Sequence, residues 1–310
     1  MQQHENHSLG HIAALATVIV WGTTFVSTKV LLRSFDPVEV LFTRFAIGLV
    51  ILFLMNHKRL QLLDKKHELY FIGAGISGVT LYFLFENIAL TYSTASNVGI
   101  LLACAPFFTG LVSKIFLKDH LGKSFFIGFL FAIAGILLIN FNGNVVLQLN
   151  PIGDILAIVA ALIWAFYCMF IRKIGEYEYN TVQVTRRVFC WGILFMIPVV
   201  LWNGYDTTTE EFFRLENIGN FLYLGIGACA ICFVTWNFAM RVLGSVKASV
   251  YLYLNPVITI IASAIILKER ITMIAIAGTV LIFIGLVVSE KGNKKAQEEL
   301  KIHGSEVAEG

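Results

Sequence analysis

Charge is what this chain has least of. Only 14% of its 310 residues are Asp, Glu, Lys or Arg, while 57% are hydrophobic, against about 25% charge in a soluble domain. Too few polar side chains remain to cover a water-facing surface, which excludes a cytosolic fold. The net charge of +3 gives no basis for nucleic-acid binding. Cysteine is also sparse: Cys104, Cys168, Cys190, Cys229 and Cys232 all lie inside apolar runs, where disulfide frameworks and zinc fingers do not form. Cys229 and Cys232 make a CxxC, but no second pair or histidine accompanies it, so all five are read as small apolar packing groups. No GxxxxGK phosphate loop, HExxH or GxSxG is present, and no paired intramembrane aspartates. ATP is therefore not the direct energy source, an embedded enzyme lacks its nucleophile and base, and neither metal nor cofactor is expected.

What is abundant is apolar sequence in runs of about 20 residues, the length that crosses a bilayer core. They fall at 10–32, 37–56, 68–91, 95–117, 122–141, 152–172, 181–202, 217–241, 246–267 and 271–289. Such segments are about twice as long as barrel strands and lack their alternation. The expected fold is an all-α integral membrane protein with ten transmembrane helices. The first run has no basic head and no small-residue cleavage pattern, so it reads as a retained helix. Loops on one side hold fourteen Lys and Arg against four on the other, which places both termini in the cytoplasm. The chain thus divides into a cytoplasmic tail at 1–9, units at 10–141 and 152–289, and a polar cytoplasmic tail at 290–310.

The two units repeat each other. A shift of 150 residues brings Gly75 onto Gly225, Asn87 onto Asn237, Pro106 onto Pro256, Lys118 onto Lys268, Gly128 onto Gly278 and Gly135 onto Gly285. A shift of 143 does the same for the leading helices, setting Trp21 on Trp164, Lys29 on Arg172 and Arg44 on Arg187. Five helices per unit is an odd number, so the second unit must cross the membrane in the opposite sense. Inverted repeats are the architecture of secondary transporters, in which rocking exposes one midplane site to each side in turn.

Trp21-Gly22, Trp164-Ala165, Ser93-Thr94-Ala95-Ser96-Asn97 leading to Pro106, and Gly244-Ser245-Val246-Lys247-Ala248-Ser249 leading to Pro256 and Lys268-Glu269-Arg270-Ile271 together resemble the drug/metabolite transporter superfamily. The match is to its ten-helix EamA-like transporters with two tandem units, over about residues 11 to 290. The chain departs from the pattern at Lys268, where Gly is frequent, and at Asp119-His120. The resemblance implies export of a small metabolite, such as an amino acid or related compound, across a bacterial-type inner (plasma) membrane, through a central cavity. A lipid-carrier flippase is the alternative within the superfamily; a receptor or a membrane enzyme is disfavoured. Expected partners are a small-molecule substrate and membrane lipid, with proton or exchange-substrate coupling and a homodimer left open.

Ionisable groups in hydrocarbon cost at least ~2.5–3.5 kcal/mol each, so each needs a partner, a wet cavity or a function. Glu86, Arg44 and Lys29 all fall in one half of the first unit. The sharp reading has Glu86 facing the cavity, pairing with Arg44 or Lys29, and serving as a proton or substrate-amine site; the plain one is a fixed ion pair, or snorkelling of Arg44 and Lys29. Its repeat partner is Trp236, not an acid. Pro106 and Pro256 break their helices opposite the carbonyls of Leu102 and Leu252, making hinges and freeing carbonyls that could bind a substrate amine, with Asn255 alongside. Asn87 and Asn237 line the cavity or, more simply, join helices. Trp21, Trp164, Tyr82 and Tyr251 are candidate aromatic walls. Gly73–Gly78 and Gly225–Ala228 read as small-residue faces for close helix packing.

Overall fold

The computed structural model describes residues 2–141, 150–204, 209–266, 268, 273–274, 276–285 and 287–289. The tail at 290–310 and Glu269-Arg270-Ile271 lie outside the described residues. Within them the chain is helical with no strand. The spans are α1 (Gln2–Leu31), α2 (Pro37–Met55), α3 (Lys65–Tyr92), α4 (Ala95–Leu101 through Ala105–Phe116), α5 (Lys123–Phe141), α6 (Pro151–Gly175), α7 (Thr181–Asn203), α8 (Leu215–Leu243), α9 (Ser245–Ile266) and α10 (Ile276–Ser289). Eight are long and apolar enough to cross a membrane, and α5 and α10 contribute shorter apolar stretches. Helix α1 begins at Gln2, so the segment read as a leading tail continues the first helix.

Local chemistry sets the starts. Asp36 accepts from the Val38 N–H at 2.8 Å, Glu39 accepts back from the Asp36 N–H at 3.1 Å, and Pro37 occupies the first turn, where its missing N–H costs nothing. Asn150 before Pro151 and Asn180 before Thr181 cap α6 and α7 in the same way.

The two units are inverted, and glycine contacts show it. A Cβ on Gly128 of α5 would lie 2.4 Å from the Gly285 carbonyl oxygen of α10, and one on Gly135 would lie 2.4 Å from that of Gly278. As α5 advances α10 recedes, so they run antiparallel. The 150-residue shift exchanges the two contacts, as a twofold axis in the membrane plane requires. Gly75 of α3 likewise abuts Gly192 and Val188 of α7, while Gly225 of α8 abuts Ile47 and Arg44 of α2. Each unit's third helix packs on the other's second.

The repeat reaches the irregularities. Helix α3 contains a π turn at Ile76–Leu81 and α8 one at Tyr223–Ile231; composition indicated only small-residue packing there. Helices α4 and α9 each tighten into a 3₁₀ turn, Leu102–Cys104 and Tyr251–Leu254, immediately before the proline region. This corrects the expectation of freed carbonyls. Leu102 O accepts from the Ala105 N–H, and Leu252 O from the Asn255 N–H: the residue before each proline supplies the donor that the proline lacks, by closing a three-residue turn. Lys118 and Lys268, also repeat partners, both have φ of 58°.

Candidate functional site

Where α1, α3, α4, α6 and α9 converge, a cavity is lined by Trp21, Thr24, Phe25, Tyr82, Phe83, Glu86, Leu102, Ala105, Trp164, Leu252 and Asn255. Its volume of ≈ 30 Å³ holds about two waters at ~10–15 Å³ each. A cavity of this size admits water but no metabolite.

Helical spacing brings the walls together. Trp21, Thr24 and Phe25 share one face of α1, Tyr82, Phe83 and Glu86 one face of α3, and the α4 and α9 contributions are i,i+3 pairs beside the prolines. Trp21 and Trp164, matched by the repeat, meet edge to face with centroids 5.4 Å apart and planes at 85°. Tyr82 lies 4.8 Å from the Trp164 ring. The Trp21 indole N–H donates to Ala228 O at 3.0 Å, within the α8 π turn, so that irregularity holds a cavity wall in place.

Three polar atoms on this lining have no protein partner: Glu86 Oε1, Trp164 Nε1 and Asn255 Oδ1. Buried polar groups are nearly always hydrogen-bonded, and three orphans on one small cavity mark a place for a polar guest. Tyr82, one turn before Glu86, shares this lining with it. Arg44 acts on Glu86 through its field, but the two form no ion pair within 4 Å, unlike the Arg172–Asp119 and Arg187–Glu68 pairs. The buried Arg44 guanidinium sits 4.6 Å over the Phe83 ring and donates from Nε to Cys229 Sγ at 3.3 Å. Sequence reading made Cys229 a packing group; it is also the acceptor that steadies this arginine.

The other candidates lie elsewhere. Lys29 Nζ donates to the carbonyls of Leu90 and Ser93, with 2.7 Å to the latter, at the end of α3, where a cation answers the helix dipole; it does not pair with Glu86. Asn87 donates to Pro37 O at 3.1 Å. Asn237 accepts from the Tyr167 hydroxyl at 2.6 Å and donates to Thr185 Oγ1 at 2.9 Å, so both asparagines join helices and neither lines the cavity. Asn237→Ala leaves the buried Tyr167 hydroxyl without its acceptor. It is expected to lower stability by about 1–3 kcal/mol, read as a fall in melting temperature of the purified protein; an unchanged midpoint would show the bond to be dispensable. Tyr251 bonds His11 Nδ1 at 2.7 Å through its hydroxyl, away from the lining. Thr24, Phe25, Phe83 and Ala105 were missed by the sequence, though each sits within a turn of a residue or proline it did single out; Leu102 and Leu252 were named there only for their carbonyls.

A small polar-lined cavity between inverted five-helix units of apolar helices is the architecture of a membrane transporter. The family model for EamA-like transporters matches residues 8–141 and 151–290, and the chain belongs to the EamA-like transporter family. Similar proteins include an uncharacterized transporter of Archaeoglobus fulgidus, 27% identical over 288 residues, covering 91% of this chain and 98% of that one. Another, from Clostridium kluyveri, is 27% identical over 97% of this chain and 99% of its own. YyaM of Bacillus subtilis, an uncharacterized transporter, is 24% identical over 90% and 92%. A solved crystal structure superposes with a TM-score of 0.67 at 18% identity, covering 92% of this chain and 95% of that one, and shares its fold.

Proposed function

We propose that the protein is a secondary active transporter of the inner (plasma) membrane, exporting a small metabolite such as an amino acid or related compound by alternating access, with both termini cytoplasmic. The observation that carries this reading is the set of unpartnered polar atoms of Glu86, Trp164 and Asn255 on one cavity lined by both units. Glu86 serves there as the proton or substrate-amine site, Asn255 adds an acceptor, and Trp21, Trp164 and Tyr82 give faces that favour a cation or a planar group. Arg44 balances the charge of Glu86 from behind Phe83. Pro106 and Pro256, with their 3₁₀ turns, are the hinges of α4 and α9.

The test is to compare metabolites retained by cells lacking and cells overproducing the protein, then to measure uptake of those that differ in vesicles holding the purified chain. Accumulation in the deletion and depletion on overproduction are expected; no metabolite responding in either direction defeats the export reading. With a substrate in hand, Pro106→Ala and Pro256→Ala should lower maximal rate while leaving KM nearly unchanged. Wild-type rates in both variants would remove the hinges.

A further inference from the structure

Helix α9 starts without the cap that its repeat partner α4 has. At α4 the Thr94 hydroxyl accepts from the Asn97 N–H at 3.1 Å, and Asn97 Nδ2 donates to Ser93 Oγ and to Asp154 Oδ1, both at 2.7 Å. The 150-residue shift sets Gly244 on Thr94 and Lys247 on Asn97. Gly244, with φ of 83°, has no side chain to give, so no side chain caps α9. Its first-turn N–H groups, at Ser245, Val246 and Lys247, stay open at the positive end of the helix dipole. These three residues line a hollow of ≈ 350 Å³ that shares no residue with the central cavity, and Lys118, Asp119, His120 and Arg172 line its other walls. The Asp119 carboxylate is held by both Nη atoms of Arg172. Among the described residues, none bonds to the side chains of Lys118, His120 or Lys247.

We infer that this hollow binds a phosphate group, carried either by the headgroup of an anionic phospholipid in the adjoining leaflet or by a small phosphate in solution. Lys118 and Lys247 supply uncompensated positive charge, which suits phosphate as a point-charge partner. The open amides of α9 supply the N–H donors that helix starts offer to anions. A phosphate presents three acceptor oxygens to this donor set, whereas a carboxylate presents two and would leave more of the donors unmet. The volume is at the low end of the ~300–1,000 Å³ typical of small-molecule sites, room for the phosphate and a short ester. Basic loops on this face also set topology, but that role needs neither a concave wall nor a bare helix start. The two units differ here because Asn97 and Asp154 fill the corresponding place at α4 with an amide and an acid.

The experiment uses the purified full-length protein in a neutral detergent and two probes. Inorganic phosphate is titrated against chloride at equal ionic strength and read as a rise in melting temperature. Phosphatidylglycerol is offered in an equimolar mixture with phosphatidylcholine, and the lipid retained is read by native mass spectrometry. The wild type should respond to at least one probe, and Lys118→Gln/Lys247→Gln should lose that response. Lys58→Gln/Lys65→Gln, which removes two charges from the loop after α2 at the same membrane face, should keep it. Phosphatidylglycerol that stays bound in excess inorganic phosphate identifies a lipid headgroup as the occupant; a phosphate response with no lipid preference, or lipid displaced by phosphate, identifies the free anion. Each single variant should raise the half-saturating concentration of the probe that binds by roughly two- to five-fold. No response to either probe in the wild type, a response that survives Lys118→Gln/Lys247→Gln, or an equal loss in Lys58→Gln/Lys65→Gln overturns the site. Should the first double variant not fold as judged by gel filtration, the single variants decide, and unchanged half-saturation in both overturns it.

Discussion

Glu86→Gln is expected to abolish transport driven by a pH gradient in inverted vesicles while the protein is still made and inserted. The argument rests on the carboxylate's surroundings: it is buried on the cavity lining beside Tyr82, without a direct ion pair, and one of its oxygens has no hydrogen-bond partner. Glutamine keeps the shape but cannot carry or release a proton. A purely structural Glu86 predicts a different pattern. The substitution leaves the Arg44 charge uncompensated, and a loss of about 1–3 kcal/mol is expected, below the ~3–5 kcal/mol for removing one partner of a directly bonded buried pair. Removing both charges, in Glu86→Gln/Arg44→Gln, should recover that stability. If transport recovers with it, Glu86 was only Arg44's counter-charge; if stability returns and transport does not, the carboxylate handles the proton or substrate. Unchanged pH-driven transport in the single variant eliminates the coupling role.

The legible part of this fold is the part written as periodicity. Hydrophobic length gave ten spans, and the matched Gly, Pro and Asn positions gave two inverted units, because those residues recur only where backbone approach, a break or a buried polar group is required. The site was half legible. Glu86, Trp21, Trp164, Tyr82 and Asn255 could be named since charge, repetition or a neighbouring proline set them apart, and they meet on one lining. Lys29 and Asn87 carried the same signals, yet turn to helix-end carbonyls. A charge or amide in hydrocarbon must find a partner, and sequence does not say whether that partner is a cavity or a neighbouring helix. The π turns of α3 and α8 left no distinguishable mark, since their glycine-rich stretches satisfy close packing equally well. Ala228 O, which fixes the Trp21 ring, was invisible for the same reason.

The second large effect tests the inversion itself. Between helices in lipid no hydrophobic force drives association, so close van der Waals contact must hold them. At α5–α10 that contact is backbone on backbone: a Cβ on Gly128 or Gly135 meets a carbonyl oxygen at 2.4 Å, as does one on Gly285. A flexible side chain could turn aside, but a helix carbonyl is fixed by its ladder, and the two helices must separate to relieve the clash. Gly128→Ala and Gly135→Ala are each expected to cost about 1–3 kcal/mol, with Leu at either position preventing a folded yield. Gly227→Ala, where the new Cβ meets only the Tyr223 ring at 3.8 Å or more, should be neutral or slightly stabilising, since alanine restores helix propensity worth ~1 kcal/mol. Melting temperatures of the purified variants decide the matter. The pseudo-twofold axis exchanges the Gly128–Gly285 and Gly135–Gly278 contacts, so the two α5 variants should lose similar amounts. A loss at one with none at the other would mean that the two contacts are not symmetry mates and that the antiparallel pairing of α5 and α10 is not the one described.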